Sequence, residues 1–127
     1  MRMLIIDDSQ TMRRYLASIA GELAIETDLA VDGEDALVRI ESRKRAQAGL
    51  FDVALVDWDM PRMNGLQFVR AVRSKPEFAP MKLMMVTAHN ALEDIRQAVA
   101  AGADDYLMKP LDSAMVAEKL QMLGLLD

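Results

Sequence analysis

Met3-Leu4-Ile5-Ile6 is apolar at every position, and this run limits the possible folds more than any other stretch of the chain. A strand with one face in water alternates apolar and polar residues. An unbroken apolar run is instead the pattern of a strand covered on both faces, as in parallel sheets. The pattern recurs at Val53–Val56 and, after one lysine, at Lys82–Val86. Thr27–Val31 and Tyr106–Met108 are shorter strand candidates.

Between these runs, apolar residues fall at helical spacing. Met12, Tyr15, Leu16, Ile19, Ala20 and Leu23 form the first stripe, with Gly21 near its end. Ala36, Leu37 and Ile40 form a second after an Asp32-Gly33 turn, and Leu66, Val69 and Val72 a third. Pro76 and Pro80 punctuate the connection that follows. The fourth stripe, Leu92, Ile95 and Val99, is preceded by Asn90 with Glu93 three residues on, which predicts a capping box, and Gly102 closes it. Met115, Val116, Leu120 and Leu123 carry the last. Five strand–helix units in succession predict an α/β fold: a doubly wound parallel sheet with right-handed crossovers. At 127 residues, 52% of them apolar, the chain is expected to be one domain over 1–127 with no linker.

Composition then removes several functions. There is no cysteine, so disulfides, thiolate metal sites and cysteine catalysis are excluded. His89 is the only histidine, which leaves a hard cation held by oxygen as the metal chemistry open to the chain. A net charge of −5 argues against nucleic acid as a partner. The basic run Arg43-Lys44-Arg45 reads as a solvated helix face. No apolar run approaches a membrane span or a signal-peptide core, so the expected location is the cytoplasm.

The polar residues that interrupt the apolar runs share one position. Asp7 and Asp8 follow the first strand, Asp57 the third, Thr87 the fourth and Lys109 the fifth. All stand at carboxyl ends of parallel strands, the edge where open α/β sheets bind ligands. An Asp after a strand is usually a turn former or helix cap. Five strand ends of matching chemistry are not explained that way. Three carboxylates attract Mg²⁺; a carboxylate can attack phosphorus to form an acyl phosphate; a lysine ammonium and a threonine hydroxyl can neutralise and bind the incoming group.

Asp7-Asp8, the stretch VDWDMPRMNG around Asp57, VTA at Val86–Ala88 and YLMKP at Tyr106–Pro110 resemble, in order and spacing, the receiver domain of two-component response regulators. The likeness covers essentially the full chain, and DDSQTMRR with DWDMPRMNG is most similar to single-domain, chemotaxis-type (CheY-like) receivers. It implies a flavodoxin-like sheet of order 2-1-3-4-5 with five helices. It also implies a signalling switch, not an enzyme in the ordinary sense, whose self-phosphorylation from small phosphodonors and self-dephosphorylation depend on Mg²⁺.

By this resemblance Asp57 is the phosphoacceptor. Mg²⁺, or Mn²⁺ in its place, is held by Asp8, Asp57 and the backbone carbonyl of Asp59, with Asp7 acting through bound water. Lys109, Thr87 and Ala88 bind the phosphoryl group, Tyr106 changes rotamer, and the Lys109-Pro110 bond is cis. Asp59 and His89 stand where the family tunes phosphoryl lifetime. The implied partners are a histidine kinase or phosphotransfer domain and a downstream protein that meets the fourth helix, fifth strand and fifth helix of a monomer. A stand-alone receiver with no separate output domain is expected.

Two other readings share some of these residues. Asp57-Trp58-Asp59 is also the D-x-D of haloacid-dehalogenase-type phosphatases, but there the motif follows the first strand and continues to Thr or Val, where this chain has Met60-Pro61. In a flavodoxin the phosphate loop after the first strand is rich in Ser and Thr, and Asp7-Asp8 would repel its flavin phosphate.

Overall fold

The computed structural model describes all 127 residues. Five strands alternate with five helices: β1 (Arg2–Ile6), α1 (Gln10–Glu22), β2 (Glu26–Ala30), α2 (Gly33–Arg45), β3 (Val53–Asp57), α3 (Gly65–Arg73), β4 (Lys82–Thr87), α4 (Leu92–Ala101), β5 (Asp105–Met108) and α5 (Ser113–Met122). A 3₁₀ turn, Pro76–Phe78, lies between α3 and β4. The strands are all parallel, in the order β2-β1-β3-β4-β5. This is the flavodoxin-like arrangement that the sequence implies. No helix is long and apolar enough to cross a membrane.

The unbroken apolar runs divide between two cores because successive strand residues point to opposite faces. Leu4, Ile6, Ala54, Val56, Leu83 and Met85 face the side covered by α2, α3 and α4, with Ile40, Phe68, Val69 and Ala98 among their neighbours. Met3, Ile5, Val53, Leu55, Met84, Val86 and Leu107 face α1 and α5, against Leu16, Ile19, Val116 and Leu120. Each large side chain so buried contributes about 1.5–3 kcal/mol relative to exposure, which is why the sheet tolerates few polar residues within it.

Helix ends follow local chemistry, with two departures from the sequence reading. Asp32-Gly33 is not a free turn: Asp32 is the N-cap of α2 and Gly33 its first residue. The capping box predicted from Asn90 and Glu93 does not form. α4 begins one residue later, with Ala91 as its N-cap and no side-chain cap bond, because the ring of His89 ties the preceding segment to Asp59 and Asp94. A capping box appears instead on α3, where Asn64 and Gln67 satisfy one another's backbone N–H groups.

The far end of α4 is firmly held. Gly102 stops the helix at φ +113°, a left-handed conformation that suits glycine. The Arg73 guanidinium donates to the carbonyls of Gly102 and Met81 and to the Asp104 carboxylate, tying α3 to the α4–β5 connection. The basic run at the end of α2 is largely engaged: Arg43 donates to the Ala48 carbonyl and stacks over Phe51, and Lys44 reaches Glu77.

Candidate functional site

The chain passes from β1 out to β2 and returns to add β3 on the other side of β1, so the connections after β1 and β3 diverge and leave a crevice at their carboxyl ends. Asp7 and Asp8 enter it from the first of these, and Asp57, last residue of β3, from the second. Their ligand oxygens all lie within 4.8 Å of one another. Asp7 and Asp57 are buried, while Asp8 is exposed. Glycine is required at position 65 to bring the chain back so closely: a Cβ there would sit 2.3 Å from the Asp57 carbonyl oxygen.

Three carboxylates this close repel, and burial makes the charge harder to hold. Burial first, then the neighbouring Asp7, pushes the Asp57 carboxyl up to about 6, with Lys109 opposing. Asp7 is also raised, chiefly by burial. Lys109 places its ammonium 3.3 Å from Asp57 and 3.8 Å from Asp7. One oxygen of Asp7 accepts the Ser9 N–H at 2.8 Å; the other, Oδ2, is buried without a hydrogen-bond partner. An orphaned carboxylate oxygen beside two further carboxylates is the donor set a hard divalent cation takes. The residues present fit Mg²⁺.

The remaining sequence candidates surround this cluster. Thr87 ends β4 one step beyond Val86, the register partner of Asp57, and its Oγ1 accepts the His89 N–H at 3.1 Å. Its own hydrogen is left to donate. Ala88 follows at the exposed rim. Tyr106 donates its hydroxyl to the His89 carbonyl at 2.5 Å, packed against the α2–α4 core. The Lys109-Pro110 peptide is cis.

Asp59 and His89 meet: His89 Nε2 lies 2.9 Å from an Asp59 oxygen, and Nδ1 lies 3.4 Å from Asp94. The ring stacks on Trp58, with centroids 4.8 Å apart. The Asp59 contact is the main reason the His89 pKa is raised.

Several participants were not legible beforehand. Arg13 donates to the Asp7 carbonyl at 2.6 Å, which fixes the connection after β1. Asp94 completes the histidine contact. Arg62 pairs with the buried Asp32 across the crevice's other flank. Each belongs to an element read correctly, but the contact depends on how distant elements pack. A hollow of about 310 Å³ lined by Lys44, Gln47, Gly49, Leu50, Glu77 and Phe78 precedes β3 and β4, at the opposite end of the sheet from the carboxylates.

A family model described as the response regulator receiver domain matches residues 3–121. The chain is 33% identical over 125 residues to a chemotaxis protein CheY homolog of Campylobacter jejuni, a match spanning 95% of this chain and 90% of that one. The structure of the Vibrio cholerae chemotaxis protein CheY4 aligns with a TM-score of 0.82 at 30% identity, covering 95% of this chain and 96% of that one. A CheY-like receiver domain protein of Methanospirillum hungatei aligns with a TM-score of 0.81 at 30% identity, covering 96% and 91%.

Proposed function

The chain belongs to the response regulator receiver family, and from that premise we propose that Asp57 is the residue through which it acts as a phosphoacceptor in two-component signalling. The observation that carries this reading is the buried Asp57 carboxylate, raised to about 6, with a lysine ammonium at 3.3 Å and two further carboxylates beside it. At neutral pH such a group is mostly ionised, hence nucleophilic, yet poorly solvated.

In the reaction an Asp57 oxygen forms a bond to phosphorus as the donor's phosphorus–nitrogen bond breaks. The electron pair leaves with the kinase imidazole, which is protonated as it departs. Lys109 neutralises charge on the acceptor side, and the Thr87 hydroxyl donates to a phosphoryl oxygen, with Ala88 at the same rim. Asp7, Asp8, Asp57 and the Asp59 carbonyl would hold Mg²⁺ or Mn²⁺, which supplies charge neutralisation to the incoming phosphoryl group. The Thr87 hydroxyl can donate to that group while its oxygen still accepts the His89 N–H, so a pull on Thr87 is passed to the His89 segment, whose carbonyl holds the Tyr106 hydroxyl. The change thereby reaches α4 and β5, where Leu92, Val99 and Met108 are exposed apolar residues suited to a downstream protein. We take residues 1–127 as one cytoplasmic, monomeric receiver whose output is partner binding of the chemotaxis type.

The direct test is incubation with acetyl phosphate and Mg²⁺, followed by intact-mass measurement. One phosphoryl group per chain supports the switch; sustained turnover of general phosphomonoesters supports the dehalogenase-type hydrolase instead. Metal binding has its own reporter. Trp58, the only tryptophan, adjoins Asp57, so millimolar Mg²⁺ is expected to change its fluorescence. Asp8→Ala is expected to weaken that affinity by roughly tenfold or more, as loss of one hard oxygen ligand does. An indifferent tryptophan would count against the site.

Asp59 and His89 are assigned to phosphoryl lifetime. On this reading their contact, which follows Asp57 and Thr87 by two residues each, screens the phosphoryl group from the in-line approach of water. Asp59→Ala and His89→Ala should each shorten the lifetime of phospho-Asp57 by roughly two- to fivefold, the rate equivalent of about 0.5–1 kcal/mol. The double variant should be less than additive. Phosphate release from purified phosphoprotein measures this, and strictly additive effects would make them independent loop residues.

A further inference from the structure

The loop from Trp58 to Asn64 carries a contact that the phosphoacceptor chemistry does not use. Arg62 has φ +65°, in the left-handed region that residues other than glycine seldom occupy. Its guanidinium pairs with Oδ2 of Asp32, and its Nε lies 3.7 Å from Glu34. The Asp32 side chain is only 3% exposed, and its other oxygen accepts the Asp35 N–H at 2.8 Å as the cap of α2. Arg62 is the one cation paired with that carboxylate. The guanidinium is 60% exposed, so the hold comes from the burial of the carboxylate, whose charge the Asp35 N–H offsets only in part.

The neighbouring packing has the same effect. Met63 lies so close to Gly33 that a Cβ there would come within 2.8 Å of the methionine sulfur. The base of the loop is closed by the Gly65 N–H donating to the Trp58 carbonyl at 2.8 Å. Its tip is thus fastened to α2 and its base to itself. On the other side of the crevice, Asp32 follows closely on Ala30, whose carbonyl accepts the Asp7 N–H at 3.1 Å. The Arg62–Asp32 contact therefore joins the segment bearing Asp57 to the segment that anchors Asp7.

We propose that Arg62 is a positioning residue that clasps the loop after Asp57 to the first turn of α2, so that the mutually repelling carboxylates of Asp7 and Asp57 stay at the spacing a divalent cation needs. This rests on the metal-binding reading above. Without the clasp, the Asp7 side is still held by Lys109, Arg13, the Ser9 N–H and the bond to Ala30. The loop after Asp57, by contrast, loses its one ionic tie to α2 and keeps only the Met63 packing and the Gly65–Trp58 bond. The left-handed backbone of Arg62 is the strain that the ion pair offsets.

Three variants separate backbone from charge. Arg62→Gly suits φ +65° and deletes the cation but also frees the backbone. Asp32→Asn leaves Arg62 and the α2 cap in place and removes only the carboxylate charge, so it should quicken exchange over 58–64 if the ion pair is what holds the loop. Arg62→Lys keeps a cation. In metal-free protein, amide hydrogen exchange across residues 58–64 is expected to quicken by roughly tenfold in Arg62→Gly and much less in Arg62→Lys. The Mg²⁺ midpoint read from Trp58 fluorescence should rise by roughly tenfold in Arg62→Gly and return toward wild type in Arg62→Lys. Asp32→Asn with Arg62→Gly should be no worse than Arg62→Gly alone. Wild-type exchange and an unchanged midpoint in Arg62→Gly would overturn the clasp. A wild-type protein indifferent to Mg²⁺ would overturn the metal reading and the link to Arg62 with it, an outcome distinguishable because the metal-free exchange data do not depend on it.

Discussion

Asp57→Asn is expected to leave the protein folded and to reduce its uptake of phosphoryl groups from acetyl phosphate to background, a loss of at least about two orders of magnitude. The substitution changes little in shape: Asn retains an oxygen that can accept from Lys109, and the β3 backbone around it is unaffected. What disappears is the anionic oxygen. A neutral amide is a poor nucleophile, and one of the three carboxylates that would hold the cation is gone. Intact-mass measurement after incubation with acetyl phosphate and Mg²⁺ reads the result directly. Undiminished labelling of the variant would move the acceptor elsewhere; Asp8 would be the next residue to test, since it is the exposed member of the cluster.

The same variant should also raise stability in metal-free solution. The Asp57 carboxyl sits near 3.8 in the unfolded chain and about 6 in the folded one. Because the folded pKa is the higher, the folded state is favoured by the proton. That contribution is complete below pH 4 and is lost as pH rises through about 6. A shift of this size corresponds to about 2–3 kcal/mol. At pH 8 Asp57→Asn should therefore be the more stable protein, melting roughly 5–10 °C higher, with the gap closing near pH 4. Millimolar Mg²⁺ should raise the melting point of the wild type and scarcely move that of the variant. Melting curves by circular dichroism at the two pH values, with chelator or Mg²⁺, measure this. Equal melting points at pH 8 would mean that the ionised cluster costs the fold nothing.

How far the sequence revealed these features can be judged residue by residue. β1, β3 and β4 were legible because an all-apolar run reads as a strand covered on both faces. β2, which has no such run, is shifted by one residue at both ends, from Thr27–Val31 to Glu26–Ala30, and β5 starts one residue earlier than expected. The residues at their carboxyl ends were legible for a related reason, since parallel strands bring all such ends to one edge. Asp7, Asp8, Asp57 and Lys109 are accordingly gathered within a few ångströms. Side-chain partnerships between separate loops were not legible. Asn90 had the right neighbour three residues on, yet the His89 ring bonds to Asp59 and Asp94 and delays the start of α4. Asp32 beside a glycine looked like an ordinary turn; its real partner, Arg62, stands thirty residues away and is fixed only by tertiary packing.

The two ends of α4 differ in a way that bears on how motion is confined. At its start Ala91 offers no side-chain acceptor, and a missing cap costs a helix about 1 kcal/mol. At its finish Gly102 and the Arg73 guanidinium leave little freedom. The first turn is held instead through a side chain, since Asp94 within it meets the His89 ring that also bonds to Asp59. Fraying at that end is therefore expected to depend on one imidazole contact, while the other end, closed by backbone geometry and a guanidinium, is indifferent to it. A single loop residue near Thr87 thus governs how much of the helix is ordered on the side of the crevice.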